Sequence, residues 1–279
     1  MPRDRFRIQR PDDGRARPIV VDVPHAGEWI PDQVAEEMLV EEDLLKRDLD
    51  LYVDRFWQDA PEVGATLIAS NVSRYVVDLN RAPDDVSPEA VEGAETKDEP
   101  GYYQDRGVVW RTTTGGEAVL DEPLSPEAFQ ERLDEFYWPY HRALRKEIER
   151  VREQFGTCIL VDGHSMPSEG RQKYSDPGRR RADIVPGDVD GTSCRRPVRW
   201  TVEEHFRDDG YSVKTNDPYK GGWITRKYGA PDDGVHALQI EVNRDLYMDE
   251  QSFEIDEPGL NELRESCRSL VDRLADLDL

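Results

Sequence analysis

Short apolar runs alternate with longer amphipathic segments along this chain of 279 residues. Six runs have the length and the β-branched or aromatic content that predict buried strands. They cover Pro18–Val23, Ala65–Ser70, Tyr75–Leu79, Thr157–Val161, Tyr211–Thr215 and His236–Val242. Because helical patterns lie between them, the sequence predicts an α/β protein with a mostly parallel or mixed central sheet and helices on both faces.

Two helices have the clearest periodicity. Apolar residues recur at helical spacing from Pro126 to Phe155, and Ser125 can cap the first turn while Pro126 suits the first helical position. A second helix is predicted over Leu260–Leu274. The sequence has no internal repeat and no long low-complexity linker, so we expect residues 1–279 to form a single domain. The stretches 80–116 and 165–197 are predicted to be surface loops that follow strands.

The charge of the chain limits its partners. Asp and Glu number 60 against 37 Lys and Arg, which gives a formal net charge of −23. Such a surface repels polyphosphates, which argues against a nucleic-acid partner, and its even acidic coat with few Lys indicates adaptation to high salt. No apolar run approaches the length of a membrane span, and the charged N-terminus lacks an apolar signal region. We therefore expect a cytoplasmic protein that acts on a small molecule.

Histidines follow two of the predicted strands. His25 and Glu28 come directly after the first strand, and His164 comes after the strand Thr157–Val161. Two imidazoles and one carboxylate are a common ligand set for Zn²⁺ at a catalytic site, with one position left open. The alternative is that each histidine only forms hydrogen bonds at the base of a loop. Since two of only five histidines share this position, the pattern favours a metal site.

Glu241 interrupts an apolar strand near the C-terminal end of the chain. A buried carboxylate is costly unless it is paired or takes part in chemistry. Beside an activated water, Glu241 would act as a general base and then as a proton donor to a leaving amine. The alternative is a structural ion pair with Arg244.

Cationic and amide side chains flank the predicted strand Tyr75–Leu79. Asn80 and Arg81 could hold a substrate carboxylate, and Arg74 could stabilise an oxyanion. In so acidic a protein, structural pairing of either arginine is the alternative. Further along, Pro218 and two glycines predict a tight loop that could bring Tyr219 towards a ligand.

Five of these motifs, taken in order, resemble the N-formylglutamate amidohydrolase (deformylase) family. The motifs are VPHAGEWIP, SRYVVDLNR, DGHSMP, NDPYKGGW and LQIEVNRDLYMDE, and together they span most of the chain. The family is related to the zinc carboxypeptidases and aspartoacylases, so the resemblance implies a phosphorylase/hydrolase-like α/β fold. It implies metal ligands at His25, Glu28 and His164, with Asp78 or Asp162 as the alternatives to Glu28.

The same resemblance implies a reaction. One divalent ion, expected to be Zn²⁺, and Glu241 would activate water to attack the formyl carbon of an N-acyl amino acid, with Arg74 on the oxyanion. Asn80 and Arg81 would hold the amino-acid carboxylate, and Arg226 or Lys220 the side-chain carboxylate of glutamate. The products would be formate and L-glutamate, as in the closing step of one route of histidine degradation.

Three other functions fit parts of the sequence. Gly163–Pro167 nearly matches the G-x-S-x-G motif of serine hydrolases, which would make Ser165 a nucleophile, but its fifth position is Pro. An arginase-like dimanganese enzyme needs a D-x-H-x-D motif, and the final Asp is missing after His164. A non-catalytic relative that only binds an acidic amino acid is the third alternative.

Overall fold

Six strands form one mixed sheet in the computed structural model, which describes residues 4–12, 14–97, 102–103, 105–172 and 176–279. The side chains of residues 42 and 43 are also outside the description. The strands are β1 (Phe6–Gln9), β2 (Ile19–Val23), β3 (Thr66–Ser70), β4 (Cys158–Met166), β5 (Ile184–Gly187) and β6 (Val235–Asn243). Their order across the sheet is β1-β3-β2-β4-β6-β5.

The four central strands are parallel, and the two edge strands are antiparallel to their neighbours. Every residue of β2, β3, β4 and β6 is buried, which explains why these segments are apolar runs without polar alternation. The chain passes from β2 to β3 on one side, whereas β4 pairs with the other side of β2. Ligand sites of open α/β sheets form at the carboxyl ends of the strands on either side of such a switch in strand order.

Helices connect the strands. They are α1 (Asp32–Ala35), α2 (Glu42–Leu45), α3 (Val53–Phe56), α4 (Pro126–Arg132), α5 (Trp138–Phe155), α6 (Arg196–Asp208), α7 (Trp223–Tyr228) and α8 (Glu257–Ala275). A π-helical segment, Leu133–Tyr137, joins α4 to α5, so the helix predicted over 126–155 is continuous apart from this bulge. The Ser125 hydroxyl accepts a hydrogen bond from the Ala128 amide, as predicted for the cap.

Helices cover both faces of the sheet. Tyr140 on α5 donates a hydrogen bond to Asp22, so α5 lies on the face to which the Asp22 side chain points. Asp162 on β4 is the register partner of Asp22, so the next residue, Gly163, faces the opposite side of the sheet. Trp57, directly after α3, lies against Gly163 on that side. Helix α8 packs against α3 and α6. The predicted fold class is therefore confirmed. None of the described helices has the length and apolar character needed to cross a membrane.

Two of the six predicted strands are wrong. Residues 75–79 form turns, in which Val76 N donates to Ser73 O and Asp78 N donates to Val108 O. The run is apolar because its side chains are buried in the core, and burial does not require a neighbouring strand. In the second segment, 211–215, only Val213 pairs, through a single bridge to Ile184. The sequence analysis also missed β1 and β5, the two short edge strands.

Candidate metal and active site

Three polar side chains meet at the carboxyl edge of the parallel strands. His25 follows β2 by two residues, and His164 lies on β4. Glu241 on β6 is the register partner of His164. All three side chains are at least nine-tenths buried. Pairing of parallel strands therefore brings together residues that lie far apart in the sequence.

His25, Asp50 and His164 form a group that could hold a metal ion, with ligand atoms within 4.8 Å of one another. His164 Nδ1 lies 2.9 Å from Asp50 Oδ2, and His25 Nδ1 lies 3.6 Å from the same oxygen. The buried His25 Nδ1 has no hydrogen-bond partner among the described residues. A buried nitrogen without a partner is costly, and a cation would satisfy it. Two imidazoles and a carboxylate fit Zn²⁺ or a similar divalent ion.

A carboxylate holds the other nitrogen of each histidine. His25 Nε2 lies 2.7 Å from Asp78 Oδ1, and His164 Nε2 lies 2.8 Å from Asp162 Oδ1. Asp162 is fixed in turn by a hydrogen bond from the Thr225 hydroxyl. Such carboxylate–histidine pairs orient the imidazoles, and a metal bound at Nδ1 would take the place of a proton there. Asp78 and Asp162 thus lie behind the histidines.

Charge complementarity within the group is strong. Burial alone would raise the pKa of Asp50, but the two histidines beside it hold that pKa well below its usual value. Burial opposes the charged form of His164, yet Asp162 and Asp50 raise its pKa well above the usual value. The Arg244 guanidinium also donates to Asp50 Oδ1 at 3.0 Å. Asp50 is therefore a charged carboxylate, whose oxygens suit a metal ion.

Glu241 differs from the other carboxylates. Its Oε1 accepts a hydrogen bond of 2.7 Å from Gln239, whereas its buried Oε2 has no partner among the described residues. Burial raises the pKa of Glu241 to about 7, because desolvation and the charges of Asp50 and Asp162 outweigh the attraction of His164 and Arg244. A carboxyl group with this pKa can both accept and release a proton near neutral pH. The alternative of a close Glu241–Arg244 ion pair is not observed, since Arg244 pairs with Asp50.

One cavity of about 290 Å³ contains the group. His25, Asp50, His164 and Glu241 line it. The other predicted catalytic and substrate-binding residues do as well: Arg74, Asn80, Arg81, Tyr219 and Arg226. The tertiary structure thus brings together every site residue predicted from the sequence except Glu28.

Six of the seven arginines that line the cavity fall into two groups, and the seventh is Arg106. Four are paired with carboxylates of the chain: Arg47 with Glu117, Arg74 with Asp78, Arg171 with Asp48, and Arg244 with Asp50. Arg81 and Arg226 form no ion pair with a described residue. Arg81 donates to the carbonyls of Arg106 and Asn80 and stacks on Tyr103, while Arg226 donates to the carbonyl of Gly221. These two guanidinium groups are positioned by backbone oxygens, which leaves their charges for a ligand.

The remaining predicted residues have partners within the protein. Arg74 uses three N–H groups on Asp78 and the Asp48 carbonyl, and its guanidinium lies over the Trp110 ring. The Asn80 Oδ1 atom accepts from Ile224 N, and its Nδ2 lies 2.9 Å from His164 Nε2. Asn80 therefore packs against the site as well as lining the cavity.

Glu28 is not near the two histidines. Its side chain is exposed and lines a different cavity, together with Tyr52 and Phe253. The chain turns directly after His25, where Gly27 packs against the backbone of residues 71 and 72, and this turn carries Glu28 away. The carboxylate that lies beside the two histidines, where Glu28 was expected, is that of Asp50. The only local signal for Asp50 is an acidic residue between two buried leucines, Leu49 and Leu51.

The serine-hydrolase alternative lacks its geometry. Ser165 lies within β4 and not on a sharp turn between a strand and a helix. Its hydroxyl accepts a hydrogen bond of 3.1 Å from Arg244 Nε. Among the hydrogen bonds of the described residues, none joins Ser165 to a histidine that could act as its base.

The α/β sheet and the site at its carboxyl edge are typical of a hydrolytic enzyme. Comparison with known proteins identifies the class as the amide hydrolases. The N-formylglutamate deformylases of Pseudomonas putida and Pseudomonas aeruginosa are each 35% identical to this chain. The alignments cover 84% of the chain and 82% and 84% of the two relatives. The model of the N-formylglutamate amidohydrolase family matches residues 17–248. The chain belongs to this family.

Solved structures agree with this assignment. The N-formylglutamate amidohydrolase from Ralstonia eutropha JMP134 superposes with a TM-score of 0.89 at 34% identity, over 97% of each chain. A protein from Agrobacterium tumefaciens superposes with a TM-score of 0.70 at 19% identity, over 96% of this chain and 94% of that one. The second likeness concerns the fold alone.

Proposed function

We propose that this protein hydrolyses N-formyl-L-glutamate to formate and L-glutamate with the help of a divalent metal ion, Zn²⁺ in the first instance. The observation that carries the proposal is one cavity in which His25, Asp50 and His164 face Glu241, and which Arg81 and Arg226 also line. Family membership supplies the substrate class. The acidic coat further leads us to propose that the enzyme works in a salt-rich cytoplasm.

His25, Asp50 and His164 would hold the ion. When bound, it would polarise the formyl carbonyl and lower the pKa of a water molecule. Asp78 and Asp162 are proposed to orient the two imidazoles for this role.

Glu241 is proposed as the general base. Its Oε2 takes a proton as the water oxygen bonds to the formyl carbon, and the same proton then passes to the amide nitrogen as the C–N bond breaks. Arg74 is proposed to stabilise the negative oxygen that develops on the formyl group. Asp78 orients Arg74 with two hydrogen bonds, so its guanidinium is preorganised for this role.

Arg81 and Arg226 are proposed to bind the two carboxylates of the substrate, with Asn80 and Tyr219 completing the walls. A dicarboxylate ligand would neutralise two guanidinium groups that have no ion pair among the described residues. The stack on Tyr103 holds the Arg81 plane in place, which favours a two-point hydrogen bond to a carboxylate. We assign Arg81 to the α-carboxylate and Arg226 to the side-chain carboxylate.

Formate release from N-formyl-L-glutamate by the metal-loaded protein in high salt tests the reaction. We expect release by the parent protein and its near loss in Glu241→Gln, with Glu153→Gln on the exposed face of α5 as the matched control. A chelator should abolish activity, and a serine-directed phosphonate should not. Activity that resists the chelator but is blocked by the phosphonate would show that the serine-hydrolase alternative is right. If the folded, metal-loaded parent protein releases no formate, then either its substrate is a different N-acyl amino acid or the protein binds such a molecule without hydrolysing it.

Neutral analogues test the two arginines separately. N-formyl-L-glutamine removes the side-chain charge, and N-formyl-isoglutamine removes the α-carboxylate charge. Arg226→Met should lower the preference for glutamate over glutamine about ten- to a hundredfold, which corresponds to a charged hydrogen bond of about 1.5–3 kcal/mol. Arg81→Met should do the same only against isoglutamine. If each variant affected the opposite analogue, the two assignments would be exchanged.

A further inference from the structure

Gln239 lies between the proposed base and the segment that carries two proposed substrate contacts, Tyr219 and Arg226. It is a buried residue on β6, two positions before Glu241, so both side chains point to the same face of the sheet. Its Nε2 donates to Glu241 Oε1 at 2.7 Å. Its Oε1 accepts from the Gly222 amide at 2.6 Å. A single amide thus connects the carboxylate to the N-terminus of α7.

The backbone at Gly222 lies close against Asn80. A Cβ atom on Gly222 would lie 2.4 Å from Asn80 Nδ2, so the backbone is in close contact with Asn80. The next two amides also donate to Asn80: Trp223 N to its carbonyl at 3.4 Å, and Ile224 N to its Oδ1 at 2.7 Å. Two side-chain amides, Gln239 and Asn80, therefore hold the first turn of α7. Arg226 lies on the same helix, and its Nε donates to the Gly221 carbonyl, next to this anchored turn.

Only one oxygen of Glu241 is held. Gln239 occupies Oε1, and Oε2 is buried with no partner among the described residues. A carboxylate rotates freely about its last bond unless one oxygen is fixed, and a rotated base does not reach the attacking water. The hydrogen bond from Gln239 selects the rotamer that leaves Oε2 for the reaction.

We infer that Gln239 is a positioning residue that sets the orientation of Glu241 and holds it in register with Gly222, in the segment that carries Tyr219 and Arg226. This inference rests on the proposed function, because it assigns Glu241 as the base. It goes further because Gln239 is neither a proposed metal ligand nor the proposed base. Gln239 would couple the substrate-binding segment to the carboxylate that accepts the proton. The inference is based on the two short hydrogen bonds that the buried Gln239 side-chain amide forms, one with Gly222 and one with Glu241.

Steady-state kinetics of Gln239→Met test the inference. Methionine has nearly the same length but can neither donate to Glu241 nor accept from Gly222. We expect kcat to fall about tenfold or more, since a hydrogen bond to a charged group is lost, and KM to rise severalfold because the α7 segment loses one anchor. Gln154→Met, at an exposed position on α5, is the matched control and should leave both constants unchanged.

A double variant separates positioning from general damage. If Gln239 acts on kcat through Glu241, then adding Gln239→Met to Glu241→Gln should not lower the residual kcat further. The rise in KM should persist in the double variant, since it arises at Gly222. A multiplicative fall in kcat, or an unchanged kcat in Gln239→Met alone, would overturn the inference.

Gln239→Asn provides a second variant should the methionine variant fail to fold. It keeps the amide but withdraws it by one carbon atom, so it cannot reach Glu241 and Gly222 together. Near-UV circular dichroism reports folding, and we expect the same fall in kcat. Full kcat in a folded Gln239→Asn would equally overturn the inference. If the parent protein releases no formate, the proposed function fails and not the role of Gln239, so the two failures are distinguishable.

Discussion

The third proposed metal ligand is Asp50 in the structure, whereas the sequence led us to expect Glu28. Measuring metal binding by variants of each residue tests which of them binds the ion. Asp50→Asn removes the negative charge beside His164 Nδ1, at 2.9 Å, and His25 Nδ1, at 3.6 Å, with little change in volume. Glu28→Gln makes the same chemical change at an exposed site. We expect Asp50→Asn to lose metal affinity and Glu28→Gln to keep it.

The expected loss follows from the place of Asp50 in the group. Residues that only orient metal ligands cost about 10- to 100-fold in affinity when they are changed. Loss of a direct charged ligand should therefore cost at least about a hundredfold, or about 2.7 kcal/mol. At a fixed metal concentration well above the parent Kd, the stabilisation that metal gives against unfolding should shrink by up to the same amount.

Denaturant unfolding with and without Zn²⁺ measures this difference, and isothermal titration of the metal-free protein gives Kd directly. The comparison within each variant is essential, because Asp50→Asn also leaves Arg244 buried without its carboxylate and lowers stability in the absence of metal. The proposed ligand set of His25, Asp50 and His164 would be refuted by the opposite result. In that result Asp50→Asn binds metal like the parent and Glu28→Gln does not.

Three further changes have expected outcomes. Burial lowers the pKa of His141 to about 4; since the unfolded chain takes up its proton near pH 6.5, stability should fall as the pH drops from 6.5 towards 4, by about 2 kcal/mol at pH 5. His141→Gln should reduce this pH dependence in denaturant titrations at pH 7 and pH 5, and identical slopes would contradict the argument. Ser125→Ala removes the cap of α4 and should cost about 1 kcal/mol in the same assay, with no change in formate release. Leu160→Ala opens a cavity in the central strand and should cost about 2–5 kcal/mol, so a cost below 1 kcal/mol would show that the site collapses around the smaller side chain.

Three residues of the candidate site found from sequence share one property: they lie at or near the carboxyl ends of strands that can be recognised locally. His25, His164 and Glu241 each interrupt or end a continuous apolar run. Such runs are buried on both faces, so a polar residue within them needs a chemical reason. Gln239 carried the same signal, since it alternates with Glu241 on one face of β6, but it was not singled out.

Tertiary structure alone decided which carboxylate joins the two histidines in the candidate metal site, and which arginines are paired. Asp50 lies 114 positions from His164, in a segment where neighbouring acidic residues look alike, and only the packing of that segment onto the sheet brings its carboxylate to the imidazoles. Which arginines are paired depends on the same long-range packing: Arg171 meets Asp48 across 123 positions, and Arg244 meets Asp50 across 194. Local sequence determined the four buried parallel strands and the two long helices because their apolar patterns are local, whereas charge pairing depends on contacts that no local pattern encodes.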